Sequence, residues 1–171
     1  MDSIVILIGI RNSGKSNTVA NFFGWGSTRH SKGVKTIQNS IGKEKVVAMW
    51  KNSSPQEKAE FDTVEKIKEE IYKRIKKCQY IGADIMLINF SIILNSQIQV
   101  VEDIITEPIK ELQTKYSVHT IFLDGGKPTN ELNKARQFVV DKVKPNSTII
   151  SNEDYARQAK ELESILRTLS V

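Results

Sequence analysis

The chain carries one cysteine, Cys78, and two histidines, His30 and His119, in 171 residues. A single thiol excludes an intramolecular disulfide and a cysteine-rich zinc centre, and it fits a reducing, cytoplasmic setting. Two isolated histidines leave nothing from which to build a metal-ligand cluster, a Ser-His-Asp triad or a Cys-His pair. Only 4 prolines occur, and no low-complexity tract, internal repeat or long linker interrupts the chain. Long hydrophobic runs are missing as well. The most apolar stretches, Ile4 to Ile8 and Ile85 to Leu94, are too short to cross a bilayer, so no membrane partner is expected. Asp2 follows Met1 and no basic region precedes the first apolar run, so no signal peptide is expected either.

What is present suits one globular domain over residues 1–171, with 39% apolar and 26% charged residues. The net charge of +5 is spread among interleaved acids and bases. That is the pattern of a solvated surface, and it identifies no protein or nucleic-acid partner. Strand-like and helix-like patterns alternate throughout, which predicts an α/β/α sandwich with a mostly parallel sheet. Ile4 to Ile8 suits a central strand covered on both faces. Val34 to Ser40 and Lys45 to Trp50 flank a polar turn at Gly42 and predict a hairpin, hence one antiparallel strand. Phe61, Val64, Ile67, Ile71, Ile75 and Cys78 recur at helical spacing and predict a helix from Glu57 to Cys78, with Cys78 facing the core. Its early acids and late lysines complement the helix dipole, so that charge run has a structural explanation. Further strands are predicted at Ala83 to Ile93, His119 to Leu123 and Ser147 to Ile150. Further helices are predicted at Ile98 to Tyr116, kinked or restarted at Pro108, at Glu131 to Val143 and at Asp154 to Leu169.

The segment Gly9-Ile10-Arg11-Asn12-Ser13-Gly14-Lys15-Ser16 fits the spacing G-x-x-x-x-G-K-[ST], with an apolar strand entering the first glycine and a helix opening at the lysine. The chemistry explains the residue types. Glycines let backbone N–H groups of Gly9 to Asn17 turn toward phosphate oxygens. The helix amino terminus adds donors and a favourable dipole. Lys15 supplies a point charge for the β- and γ-phosphates, Arg11 a second cation, and Ser16 a hydroxyl for Mg²⁺.

By this motif the chain resembles the P-loop NTPase superfamily. The resemblance implies a three-layer α/β/α fold with the motif strand near the sheet centre, and a nucleoside triphosphate, ATP or GTP, as ligand. The order of elements is similar to that of Ras-like GTPases, whose second and third strands form the hairpin. The other motifs of that branch are missing. Where D-x-x-G is expected the chain has Asn52-Ser53-Ser54-Pro55, followed by Gln56 where a water-positioning glutamine would fall. Where [NT]-K-x-D is expected the chain reads Leu123-Asp124-Gly125-Gly126-Lys127, so guanine specificity is unsupported. Thr28 and Thr36 are the candidates for a switch threonine.

Three acids are candidates to support the metal. Asp124 follows an apolar strand, as a Walker B carboxylate does, provided its strand lies close to the motif strand. Alternatively it opens a turn into Gly125-Gly126. Glu57 is a second candidate for the outer shell. Asp84 precedes its strand and so belongs at the wrong end of a parallel sheet. The catalytic candidates are thus Lys15, Gln56 and Asp124, and the metal candidates Ser16 and Asp124. Trp25 is a packing aromatic or a base-stacking one. The expected function is Mg²⁺-dependent triphosphate binding with slow hydrolysis, in which 25–37 and 51–60 respond to the γ-phosphate. The alternative is a small nucleotide or small-molecule kinase, for which Arg11 and the Arg29-His30-Lys32 loop are the best-placed cations and no arginine-dense lid appears. A nucleotide-binding interaction protein without turnover is the third reading.

Overall fold

Strand β1 (Ser3–Ile10) is buried along nearly its whole length in the computed structural model, which describes residues 1–57, 63–125, 129–151 and 154–169. Its side chains alternate between two apolar layers. Val5 and Leu7 join one core with Val19 and Phe22 of α1 (Lys15–Phe23) and Leu162 and Leu166 of α5 (Tyr155–Thr168). Ile4, Ile6 and Ile8 join the other, formed by α2 (Val64–Tyr80), α3 (Asp103–Gln113) and α4 (Asn130–Phe138). A strand buried on both faces must be apolar at every position, and that is why the run shows no alternation.

The six strands lie in the order β2-β3-β4-β1-β5-β6. β1 runs parallel to β4 (Ile85–Ile92) on one side and to β5 (Ser117–Gly125) on the other. β6 (Ser147–Ser151) extends the parallel set from β5. β2 (Lys32–Gln38) pairs antiparallel with β3 (Glu44–Trp50), as the hairpin reading expects. β3 is separated from β1 by β4, and the chain leaving β3 turns toward the carboxyl end of β4, where Glu57 meets Ser91. Lys51, at φ 68°, makes that turn.

Two helices depart from the sequence reading. Among the described residues α2 starts at Val64, not at Glu57, because Thr63 caps it by accepting from the Lys66 amide at 3.3 Å. Pro55–Glu57 forms a separate single turn, while Glu60, Phe61 and Asp62 lie outside the described residues. α3 begins at Asp103, not Ile98, since residues 95–99 form a turn bridged by Leu94 and Val100. It also runs through Pro108 without restarting. Proline cannot donate to the Ile104 carbonyl one turn back. The Gln56 amide donates to that carbonyl instead, at 3.3 Å, so the missing donor is replaced from another part of the chain.

Candidate functional site

The loop from β1 to α1 closes on itself through its two glycines. A Cβ on Gly9 would stand 2.6 Å from Ser13 Oγ and 3.1 Å from the Leu123 carbonyl of β5, so no side chain fits there. Gly14 sits at φ 90° against the Tyr155 ring, where a Cβ would meet Cε1 at 2.8 Å. Asn12, at φ 60°, takes the remaining left-handed position, which asparagine tolerates. No side chain caps α1. The first helical bond runs from Thr18 N–H to the Gly14 carbonyl at 2.9 Å, which leaves the amides of Lys15, Ser16 and Asn17 unused by the helix.

Lys15 lies almost wholly inside this loop, at 5% exposure. Its ammonium donates to the Gly9 carbonyl at 3.0 Å, to the Ile10 carbonyl at 2.6 Å and to Ser13 Oγ at 3.4 Å. Burial pushes its pKa down to about 8, and the negative Glu57 opposes part of that fall. A concavity of about 270 Å³ opens over the loop, lined by Arg11, Asn12, Ser13, Gly14, Lys15, Ser16 and Asn17, with Glu57 as its one acidic wall among the described residues. All the residues read from the sequence as phosphate contacts are therefore drawn together, Gly9 beneath them as backbone.

Glu57 is held from below. Its carboxylate accepts from Ser91 Oγ at 2.6 Å, and Ser54 Oγ lies 2.9 Å from the same hydroxyl. Ser91 is the residue of β4 in register with Gly9. The loop that brings Glu57 here is fixed to the cradle by Asn52, which donates to the Ser16 carbonyl at 3.1 Å and the Thr28 carbonyl at 3.3 Å. Asn89 of β4 in turn donates to Asn52, at 2.7 Å to the carbonyl and 2.9 Å to Oδ1. Arg74 of α2 anchors the same loop by donating to the Ser53 carbonyl at 2.6 Å. The sequence signal for this arrangement is faint: isolated Asn and Ser residues on apolar strand β4 and in the loop after β3.

The other candidates lie elsewhere. β5 does neighbour β1, yet Asp124 accepts from Arg136 Nε of α4 at 2.7 Å and does not line the concavity. Gln56 is buried, its amide group on the Ile104 carbonyl and its Oε1 accepting from the Ser91 amide at 3.4 Å. Asp84 stands at the amino end of β4, accepting from the Val46 amide at 2.8 Å. Of the two threonines, Thr28 touches the site through its backbone, while Thr36 is in the outer hairpin. Trp25 stacks on Phe23 with ring centroids 5.0 Å apart and covers Gly33, so its face is used in packing. Cys78 is buried, and burial pushes its thiol up to about 11, which makes it a core side chain. Gly126 and Lys127 lie outside the described residues.

Among the described residues no group of three His, Cys, Asp or Glu side chains could hold a metal ion by itself, and no helix is long and apolar enough to cross a membrane. Mg²⁺ does not need such a cage, because it commonly binds through substrate phosphates and one or two protein oxygens. The Ser16 hydroxyl in a concavity walled also by the Glu57 carboxylate fits that mode. No protein-family model matches the chain, and no curated protein matches it.

Proposed function

We propose that the chain binds a magnesium nucleoside triphosphate, ATP or GTP, in the cradle of Gly9 to Asn17 on a P-loop NTPase fold, and hydrolyses it slowly. One observation carries this reading. A buried lysine ammonium lies within a backbone loop at a helix terminus with no side-chain cap among the described residues, and the Glu57 carboxylate faces it. A structural lysine would be held by an acid. Among the described residues this one donates to backbone carbonyls and a hydroxyl, acceptors it can exchange for phosphate oxygens.

Each residue then has a task. The amides of Lys15, Ser16 and Asn17 and the α1 dipole hold phosphate oxygens. Lys15 neutralises charge between the β- and γ-phosphates, and exposed Arg11 approaches from the rim. Ser16 offers its hydroxyl to Mg²⁺, which supplies further charge neutralisation on those phosphates when bound. Glu57, fixed by Ser91, orients the attacking water and accepts its proton. The new bond joins the water oxygen to the γ-phosphorus, and the bridging bond to the β-phosphate breaks, leaving the diphosphate with the electron pair. Among the described residues Lys15 and Arg11 are the cations lining the concavity.

Calorimetric titration with MgATP and with MgGTP, repeated on Lys15→Ala, tests the reading. At least one nucleotide should bind the wild type, and the variant should lose about 1.5–3 kcal/mol of that binding. Absence of binding by either nucleotide to the folded wild type would refute it.

A further inference from the structure

A second cavity of about 540 Å³ adjoins the phosphate cradle and shares Arg11, Asn12 and Glu57 with it. One wall is apolar, built from Ile10, Ile92, Ile93, Leu94 and Ile98. The far rim carries Asn95 and Glu131. This volume falls in the range of small-molecule sites, and the mix of an apolar wall with a few polar groups is theirs too. Water alone needs neither the volume nor the wall.

Ile98 strengthens the case. It stands at φ 55°, a left-handed conformation that strains a β-branched side chain, in a turn otherwise made by Asn95. Asn95 Oδ1 accepts from the amides of Gln97 at 2.9 Å and Gln99 at 3.0 Å. Glycine would make this turn without strain. The turn keeps isoleucine where its side chain lines the cavity.

We propose that this cavity is an acceptor subsite, taking a small alcohol with an apolar carbon skeleton and no phosphate, to which the γ-phosphoryl group is transferred in place of water. The inference rests on the nucleotide reading above. The charges of the cavity select against a phosphorylated acceptor. Among the described residues it offers one cation, Arg11, which the cradle shares, and two acids, Glu57 and Glu131. In the transfer, the alcohol oxygen bonds to the γ-phosphorus as the bridging bond to the β-phosphate breaks. The hydroxyl proton passes to Glu57, the carboxylate common to both cavities, and the nucleoside diphosphate leaves.

The test uses the full chain with γ-labelled MgATP or MgGTP, whichever binds, and two probes, glycerol and a vicinal hexanediol. Labelled alkyl phosphate and inorganic phosphate are counted together, so their ratio corrects for total rate. The hexanediol should capture phosphoryl at least about tenfold better per mole than glycerol, the extra methylenes lying on the apolar wall. Ile98→Gly, or Leu94→Ala should the first variant fold poorly, should reduce that preference several-fold. Release of inorganic phosphate alone, equal use of the two alcohols, or a preference unchanged in a folded variant would each overturn the acceptor subsite. Nucleotide binding with no product of either kind would do so as well, while leaving the cradle intact. Failure of both nucleotides to bind would instead remove the reading on which it rests.

Discussion

Ser91 Oγ donates to the Glu57 carboxylate at 2.6 Å, and Ser91 itself stands in register with Gly9, the first residue of the proposed phosphate loop. One sheet position thus sets the height of the acid above the cradle. A hydroxyl on a mostly apolar, fully buried strand is costly unless it has such work.

That relationship can be tested on turnover. Ser91→Ala should reduce nucleotide hydrolysis by about tenfold, the worth of one hydrogen bond to a charged group. Glu57→Gln should reduce it by about a hundredfold or more. Nucleotide affinity should change by about twofold at most in Ser91→Ala, since the hydroxyl does not line the cradle. Steady-state phosphate release and calorimetry separate the two effects. Wild-type rates in both variants would dismiss Glu57 from the reaction.

Lys15 should give opposite pH trends in stability and binding. Its pKa falls from 10.5 to about 8 on folding. Between those values the unfolded chain holds more of the proton than the folded one, so stability without nucleotide rises with pH across that window. At about 1.4 kcal/mol per unit the full gain is about 3 kcal/mol relative to Lys15→Met. Nucleotide affinity should fall over the same window, as the ammonium loses its proton. Urea melts of both proteins from neutral pH to the upper end, alongside titrations, would show this. A pH-independent difference between the melts would contradict the buried lysine.

The anchor of the Glu57 loop should matter to stability first. Arg74 is fully buried; its Nε donates to Glu70 at 3.0 Å, while Lys51 donates to the same oxygen at 2.8 Å. Burial raises the Glu70 carboxyl, but hydrogen bonds from Lys51 and Arg74 more than reverse this and leave it below its ordinary range. Arg74→Met removes one of the two cations that pair with a largely buried carboxylate, leaving Lys51, and should cost about 3 kcal/mol. Adding Glu70→Gln should return part of the loss. Because the folded carboxyl is lowered, wild-type stability from this cluster is present above the ordinary carboxylate range and lost on acidification below it. Chemical denaturation of the single and double variants is the measurement. An Arg74→Met protein as stable as wild type would argue against the anchor.

Gly14→Ala should separate backbone strain from crowding. The new Cβ would meet the Tyr155 ring, which can move, but φ 90° would still be unfavourable to alanine. A loss of about 1–3 kcal/mol is expected, and Tyr155→Leu should recover only a part. Full recovery in the double variant would mean that the ring alone demands glycine.

Much of the fold was legible because local signals agreed. β1 shows its two-sided burial as an unbroken apolar run, and the 34–50 hairpin its turn residues. Boundaries failed where a distant group intervened. Pro108 predicts a kink only while no other donor is known for the Ile104 carbonyl, and the Gln56 amide that supplies one comes from 48 positions away in the chain. The same fact explains why Gln56, in the right place for a water-positioning residue, is occupied by the helix.

The sequence by itself determined the loop proposed as a phosphate cradle, because its parts are contiguous. Glycine conformations, helix terminus and lysine follow one another within nine residues of Gly9–Asn17, and covalent spacing alone brings them together. The tertiary structure decided which acid faces that cradle. Asp124 and Glu57 were equal in kind as carboxylates. The sheet order put β4 beside β1, with Ser91 beneath Glu57, while α4 placed Arg136 on Asp124. Such choices depend on pairings between residues far apart in the chain, and no local pattern of side chains encodes them.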